Sequence, residues 1–415
     1  MGKRVLLIAA TTGYQVREFS DAAKDIGVEL VFATDRCHVL ENPWGDAAVP
    51  VRFEDPAAGI ESLVGFGPFD GIVAVGDGPS LIAAQIAERF GLPFSSPDAV
   101  RASKNKFLAR GRFRDAGLPV PNYWLVPIDS HLEEAAVLTR YPCVLKPLEL
   151  SASRGVIRAN DAVEFVAAFE RIRKIAPRTD SLLVEDFIPG REFALEGLVT
   201  RGRLQTLALF DKPDPLDGPF FEETIYSTPS REPADVQEAI LAAAERAVTA
   251  LGLTQGPVHA EMRVDDSNVW MLEVAARPIG GLCSRVLRFD QKKSLEEVIL
   301  RHALGEDVFD IRLSAGAHGV MMIPIPCAGT YTGVSGIEQA RAVPGIEAIV
   351  ITAKTGQTML PLPEGASYLG FIFARSHLEG NQRYPKQPEV IVQDALRVAH
   401  STLKFHLSSV LPVVR

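Results

Sequence analysis

In the first hundred residues, short β-branched runs alternate with helix-patterned stretches: 4–9 then 16–25, 29–33, and 71–75 then 81–90. A strand that returns beside a parallel neighbour needs a crossover, most simply a helix. This rhythm therefore restricts the region to a parallel sheet with helices packed on its faces. Ligands of such sheets sit beyond the carboxyl ends of strands, where Thr11-Thr12-Gly13 and Gly76-Asp77-Gly78 fall. A dinucleotide fingerprint would put GxGxxG after the first strand. The chain has AATTGYQ there, with a single glycine, which disfavours a nicotinamide or flavin dehydrogenase.

Beyond Pro97 the pattern changes. A helical stretch over 104–116, stopped by Gly117 and Pro119, precedes a short strand at 123–126. Residues 141–211 read as a small α+β module, with a helix at 161–175 and strands at 182–185, 193–200 and 204–209. A helix over 233–251 leads into an antiparallel pair, 257–264 and 269–277, joined by the turn Asp265-Asp266-Ser267-Asn268. From about Ala315 short strands rich in Gly, Thr and Pro take over, and a helix at 388–407 closes the chain.

The 415 residues carry 43 Lys and Arg against 52 Asp and Glu, a net charge of −9. That balance supplies no global field to hold nucleic acid or an anionic membrane, so neither is an expected partner. The four cysteines, Cys37, Cys143, Cys283 and Cys327, form no CxxC pair and fit a reducing compartment. Six consecutive apolar residues near the N-terminus are too few for a signal-peptide core, and residues 313–337, though uncharged, are broken by Gly, Pro and His. A cytoplasmic location is the expectation.

The chemistry concentrates in the antiparallel pair. Period-two alternation puts His259, Glu261 and Arg263 on one face of its first strand and Glu273, Ala275 and Arg277 on one face of the second. Two carboxylates aligned on a half-buried face need counter-charge. A divalent cation with oxygen ligands, Mg²⁺ above all and Mn²⁺ as an alternative, supplies it. The same residues also fit a solvated face with cross-strand ion pairs. A phosphate cradle is offered by Lys146, at the end of a buried-looking strand, with the small residues Ser151, Ser153 and Gly155 after it, and by Lys106 on the earlier helix. Surface lysines would look the same, and the GxxxxGK[ST] loop is absent. The strand exit Glu185-Asp186-Phe187-Ile188, with Glu192 beyond, offers an acceptor for an adenine amine, apolar walls and a carboxylate for ribose hydroxyls; an ordinary strand exit with exposed acids fits as well.

In this order, Lys106, Lys146 with its loop, VEDFIPGREF, HAEMR and LEVAARPIGG resemble the ATP-grasp superfamily, over essentially the whole chain. The PIGG after Arg277, the HAE and the stretch FFEETIYSTPS are most similar to carboxylate–amine ligases typified by bacterial L-amino acid ligases, which make dipeptides. The resemblance implies an α/β and α+β architecture. A Rossmann-like pre-ATP-grasp domain would cover 1–100 and an ATP-grasp core 101–308, with a small mobile lid at about 140–210. A C-terminal α+β lobe would follow over 309–415.

It further implies that Lys106 and Lys146 contact ATP phosphates, with Ser151, Ser153 and Gly155 beside them. Glu185, Phe187 and Ile188 would serve the adenine and Glu192 the ribose, and Glu261 and Glu273 would hold Mg²⁺. Arg277 would face the transferring phosphoryl group or the substrate carboxylate, next to Gly280 and Gly281. Similar proteins often read Glu-x-Asn-x-Arg where this chain has Ala275 for the Asn, leaving the number of metal ions open. They also carry Glu-x-x-His-x-x-Pro around the substrate amine; here Glu223, Tyr226 and Pro229 occupy those positions. His259 either orients the substrate or is a hydrogen-bonded core histidine.

The implied reaction forms an amide through an acyl phosphate, releasing ADP and phosphate, on small-molecule acid and amine partners; a homodimer is compatible with it. Rival readings are a purine-pathway or biotin-carboxylase type of ligase and a non-catalytic nucleotide-binding protein.

Overall fold

A computed structural model describes residues 2–10, 14–35, 48–376 and 387–408. The Thr11-Thr12-Gly13 loop and Cys37 lie outside the described residues. The N-terminal region holds β1 (Arg4–Ala9), α1 (Val16–Asp25), β2 (Glu29–Thr34), β3 (Val49–Pro50), α2 (Pro56–Leu63), β4 (Gly71–Val75) and α3 (Asp77–Phe90). All its strand pairings are parallel, in the order β3-β2-β1-β4. Strand order reverses at β1, so the exit of β4 at Gly76 and Asp77 opens beside the exit of β1, where such sheets bind ligands.

Helices α4 (Pro97–Lys104) and α5 (Lys106–Asp115) replace the single helix expected over 104–116. Asn105 leaves helical geometry at ψ 112°, and its side chain accepts from the N–H groups of Phe107 and Leu108. That cap restarts the chain as a new helix with Lys106 as its first residue.

Next come β5 (Tyr123–Pro127), α6 (Leu132–Leu138), β6 (Cys143–Pro147), β7 (Ile157–Ala159), α7 (Ala162–Ile175) and β8 (Ser181–Asp186), which make a four-stranded sheet ordered β5-β8-β6-β7. The hairpin β9 (Arg191–Thr200) and β10 (Arg203–Lys212) joins a different sheet. Residues 140–210 therefore span two sheets, and β5 enters the small one from upstream.

The large sheet continues through β11 (Ile225–Thr228), α8 (Ala234–Leu251), β12 (Gln255–Val264) and β13 (Val269–Ala275). The short strands β14 (Arg288–Phe289) and β15 (Lys293–Ser294) pair beside it, and α9 (Leu295–Ala303) follows. After these come β16 (Ala317–Ile323), β17 (Gly329–Ser335), α10 (Ile337–Arg341), β18 (Ile346–Ile351), β19 (Thr358–Met359), β20 (Gly370–Ser376), α11 (Pro388–Thr402) and β21 (Lys404–Ser408). The eight-stranded order β13-β12-β9-β10-β11-β16-β20-β18 carries one sheet from the centre of the chain into its C-terminal part. The closing helix stops at Thr402, because Lys404 to Ser408 alternate half-buried and exposed and pair with β17 instead.

Alternation along β9 and β12 divides the large sheet into an oily face and a polar one. Phe193, Leu195, Val199, Val258, Ala260 and Met262 pack on Ile240, Ala244, Ala247, Val248 and Leu251 of α8. Burying each such side chain contributes about 1.5–3 kcal/mol, which fixes the strand register and turns the other face toward a cavity. Among the described residues no helix is long and apolar enough to cross a membrane.

Candidate active site

Antiparallel pairing stacks the polar face into cross-strand rows. One row reads Lys212, Glu192, Arg263; the next Phe210, Ala194, Glu261, Glu273; the third Ala208, Glu196, His259, Ala275. Glu261 and Glu273 are thus directly opposed, and both line a cavity of about 380 Å³ bounded by the N-terminal region, the small sheet, the large sheet and the C-terminal part. The simple alternation expected on β13 is interrupted. Glu261 pairs with Glu273 and Met262 with Met271, leaving Leu272 as a bulge that lines the cavity beside Glu273.

The face is not a solvated one. Glu261 accepts from Lys212 at 3.0 Å and Glu273 lies 3.5 Å from the Lys106 ammonium, so neither carboxylate pairs with the arginines of its own hairpin. Arg263 bonds Glu192 at 3.0 Å. Arg277 makes a two-pronged pair with Asp77, at 2.8 and 3.2 Å, across from the N-terminal region.

Lys212 is the centre of the carboxylate-rich end. Its ammonium contacts Glu192 at 2.8 Å, Glu223 at 2.5 Å and Glu261 at 3.0 Å and sits over the Tyr226 ring. Burial opposes its charge, but the three carboxylates override burial and hold its pKa well above the ordinary lysine value. Burial and the neighbouring Glu261 push Glu223 up to about 7 against the pull of Lys212. Burial also opposes the charge of Glu261, but Lys212 and His259 hold it well below the usual carboxylate range. Tyr226 donates its hydroxyl to Glu223 at 2.8 Å.

At the other end Glu185 is the buried partner of two cations. Arg110 binds it through two nitrogens, at 2.8 and 3.1 Å, and Lys146 through a short contact. Burial would raise Glu185, but the two positive charges bring it down to about 2; burial in turn lowers Lys146. Lys106 also donates to the Leu150 carbonyl at 2.6 Å, joining α5 to the small-residue loop.

The remaining expected residues divide. Ser151, Ser153, Phe187, Ile188, Glu192, Glu223, Tyr226, His259, Gly280 and Gly281 all line the cavity. Gly155 lies off its wall, with its N–H on the Pro363 carbonyl at 2.9 Å and no room for a Cβ, which would come within 2.8 Å of Pro147. Both Glu185 oxygens are engaged by cations. The hinge backbone is partly committed as well: Phe187 N–H donates to Pro142, and the Ile188 carbonyl accepts from Arg263. His259 is a buried, hydrogen-bonded histidine that also lines the cavity. Its Nδ1 pairs with Glu196 and its Nε2 lies 3.3 Å from Glu261; burial works against its charge, but Glu196 raises it to about 9.

Sequence reasoning missed Arg110, Glu196 and Lys212. Each had a signal: Arg110 lies four residues after Lys106 on one helical face, and Glu196 and Lys212 continue period-two positions on their strands.

The opposed hard-oxygen pair Glu261 and Glu273 fits a Mg²⁺ ion, since at present lysines supply the counter-charge that such a donor set needs. Glu192, Glu223 and Glu261 also place carboxylate oxygens within 4.8 Å of one another. The small sheet lines one side of the cavity through Val144, Lys146 and Glu185, and the residues next to it are tied to Glu364. Arg171 of α7 bonds Glu364 at 2.6 and 2.9 Å, and Arg154 donates to the Glu364 carbonyl at 3.1 Å.

Residues 139–286 match the ATP-grasp domain, and residues 321–377 match L-amino acid ligase C-terminal domain 2. The crystal structure of L-amino acid ligase from Bacillus licheniformis superposes with a TM-score of 0.79 at 25% identity, covering 98% of this chain and 99% of that one. Phosphoribosylglycinamide synthetase from Anaerococcus prevotii shares the fold, with a TM-score of 0.67 at 17% identity, covering 98% of this chain and 100% of that one. The ATP-grasp enzyme fsqD of Aspergillus fumigatus is 26% identical over 316 residues, 65% of this chain and 54% of that protein, so the chain spans about half the length of this curated relative.

Proposed function

The chain belongs to the ATP-grasp family and carries an L-amino acid ligase C-terminal domain, and from that premise we propose that it is an ATP-dependent carboxylate–amine ligase. The observation that carries this reading is the opposition of Glu261 and Glu273 on the wall of a cavity that Lys106, Lys146 and Arg277 also line. ATP is the expected phosphoryl donor and Mg²⁺ the expected cation. Glu261 and Glu273 would hold Mg²⁺, which when bound neutralises charge on phosphate oxygens.

The protein's own groups do the rest. Lys106 and Lys146 meet phosphate oxygens as point charges. Arg277, held by Asp77, faces the transferring group and offsets the charge that builds on it. An acid carboxylate oxygen attacks the γ-phosphorus, the bond to the ADP oxygen breaks, and an acyl phosphate forms. The neutral amine then attacks the acyl carbon, phosphate leaves with the C–O electron pair, and the amine's surplus proton is lost. Glu223, when ionised, is placed to receive a substrate ammonium, and Tyr226 shapes that end. The small sheet, fastened through Arg171 and Glu364, keeps water from the acyl phosphate.

Phosphate release from Mg·ATP, measured against a panel of acid and amine pairs with mass spectrometry of the product, tests the reading. Release only with a matched pair, together with an amide product, supports it. Release with bicarbonate assigns a carboxylase instead, and no release with any combination assigns a non-catalytic nucleotide-binding protein.

A further inference from the structure

Arg277 and the glycines after it lie on a segment, residues 276–282, that belongs to no strand or helix. Its position is set by side chains from elsewhere in the chain. The Ile279 N–H donates to Glu196 Oε2 at 3.1 Å, and the Ile279 carbonyl accepts from Gln15 Nε2 at 2.5 Å. Glu196 comes from β9 and Gln15 from the residue that opens α1, so the large sheet and the N-terminal region grip one residue from two sides. Near the end of the segment Gly281 adopts left-handed geometry (φ +61°), where a Cβ would meet the Phe371 ring at 2.9 Å.

Glu196 and Gln15 are 1% and 2% exposed. A carboxylate buried to that degree is weak support for stability, since a packed apolar residue would serve the sheet as well; Ala194 occupies the same face one row away. What an apolar residue could not do is accept from two donors at once. Glu196 Oε1 takes His259 Nδ1 while Oε2 takes the Ile279 N–H, and His259 Nε2 lies 3.3 Å from Glu261. A continuous chain of contacts therefore runs from the Glu261 carboxylate to the backbone two residues after Arg277.

We propose that Glu196 and Gln15 are positioning residues that together fix segment 277–281, and that Glu196 ties this segment through His259 to Glu261, so that the guanidinium and the metal-side carboxylate keep one spacing. The proposal rests on the ligase reading for its catalytic consequence but not for the clamp itself. Neither residue is a catalytic residue.

Glu196→Gln keeps the shape and loses one of the two acceptors. Gln15→Ala loosens the same residue from the other side without removing a charge, and it decides the matter should Glu196→Gln fail to fold. In either variant, amide hydrogen exchange over 277–281 should quicken roughly tenfold. Exchange in β9 and β12 should stay at wild-type rates, and ATP affinity by calorimetry should stay within about twofold. For a matched pair, kcat should fall by about 10²-fold with KM for ATP unchanged, the signature of misplacement rather than lost binding. Wild-type exchange across the segment in both variants overturns the clamp, as does a parallel loss of stability, ATP affinity and turnover. If the wild-type protein turns over no pair at all, the ligase reading fails while the exchange data still decide the clamp.

Discussion

At the end of the cavity proposed to take the nucleotide one carboxylate, Glu185, is held by two cations, Arg110 and Lys146; in the large sheet one ammonium, Lys212, is held by three carboxylates, Glu192, Glu223 and Glu261. The inversion supports the proposed placement of the ligands. Excess cation suits phosphate oxygens, and excess carboxylate suits a metal ion or an ammonium. The clusters also differ in what they join. The first links α5 to two strands of the small sheet, while the second lies among strands of the large sheet and the segment before β11. One therefore fastens the small sheet to α5 and the other furnishes a floor for the cavity.

The largest test removes Glu273, the carboxylate that faces Glu261 of the carboxylate-rich cluster. Glu273→Gln should lower ligase turnover on the order of 10³-fold, because the developing charge on the transferred group loses a metal-side ligand. The fold should persist, since Glu273 is only loosely paired, 3.5 Å from Lys106. Coupled phosphate release and circular dichroism check both halves. Near-wild-type turnover breaks the comparison by removing the carboxylate-rich end from the chemistry.

The two clusters were unequally legible in the sequence. Glu261 and Glu273 could be read because each sits in an alternating strand joined by a four-residue turn, and alternation with a short turn fixes which residues face one another. The Leu272 bulge could not, for nothing in Trp-Met-Leu-Glu marks an extra residue. Arg110 was obscured by its setting: KFLARGRFRD reads as a solvated basic helix, yet Arg110 is buried behind the cavity on Glu185 and the carbonyls of Met271 and Leu272. Lys212 continues the period-two positions of β10 but is its last residue, before a proline-rich turn, so its strand position alone did not mark it as a site residue. Its three partners are 11, 20 and 49 residues away, a meeting only the folded sheet brings about. Strands β1, β2 and β4 of the parallel N-terminal sheet were readable because buried apolar runs alternate there with α1 and α3, whereas the two-residue β3 and the short α2 were not.

Removing one cation from each cluster separates them further. Lys212→Met leaves Glu223 without a cation among the described residues, and Glu192 and Glu261 with only Arg263 and His259, and should cost about 3–5 kcal/mol of unfolding free energy. Lys146→Met leaves Glu185 still gripped by Arg110 and should cost about 1–2 kcal/mol, while ATP affinity falls about 10- to 100-fold. Urea unfolding measures the first pair of values and calorimetry the last. Equal stability losses would show that stoichiometry does not set the strain in the two clusters.

The smallest effect is one of sign. Glu185, brought down to about 2 from an ordinary 4.5, contributes stability that is present above pH 4.5 and is lost as pH falls toward 2. Glu223, raised to about 7, behaves oppositely. Between pH 4.5 and 7 the native protein keeps a proton that the unfolded chain releases, so stability falls as pH rises through that window. Glu223→Gln removes this titration and leaves the rest, so its stability relative to wild type should climb by roughly 2 kcal/mol between pH 4.5 and 7.5, discounted for partial solvent contact. Urea titrations of both proteins at several pH values read the difference directly. A flat difference would mean that Lys212 keeps Glu223 ionised across the whole range, making the floor a fixed anionic site; a falling one would give the two clusters the same pH sign and end the contrast between them.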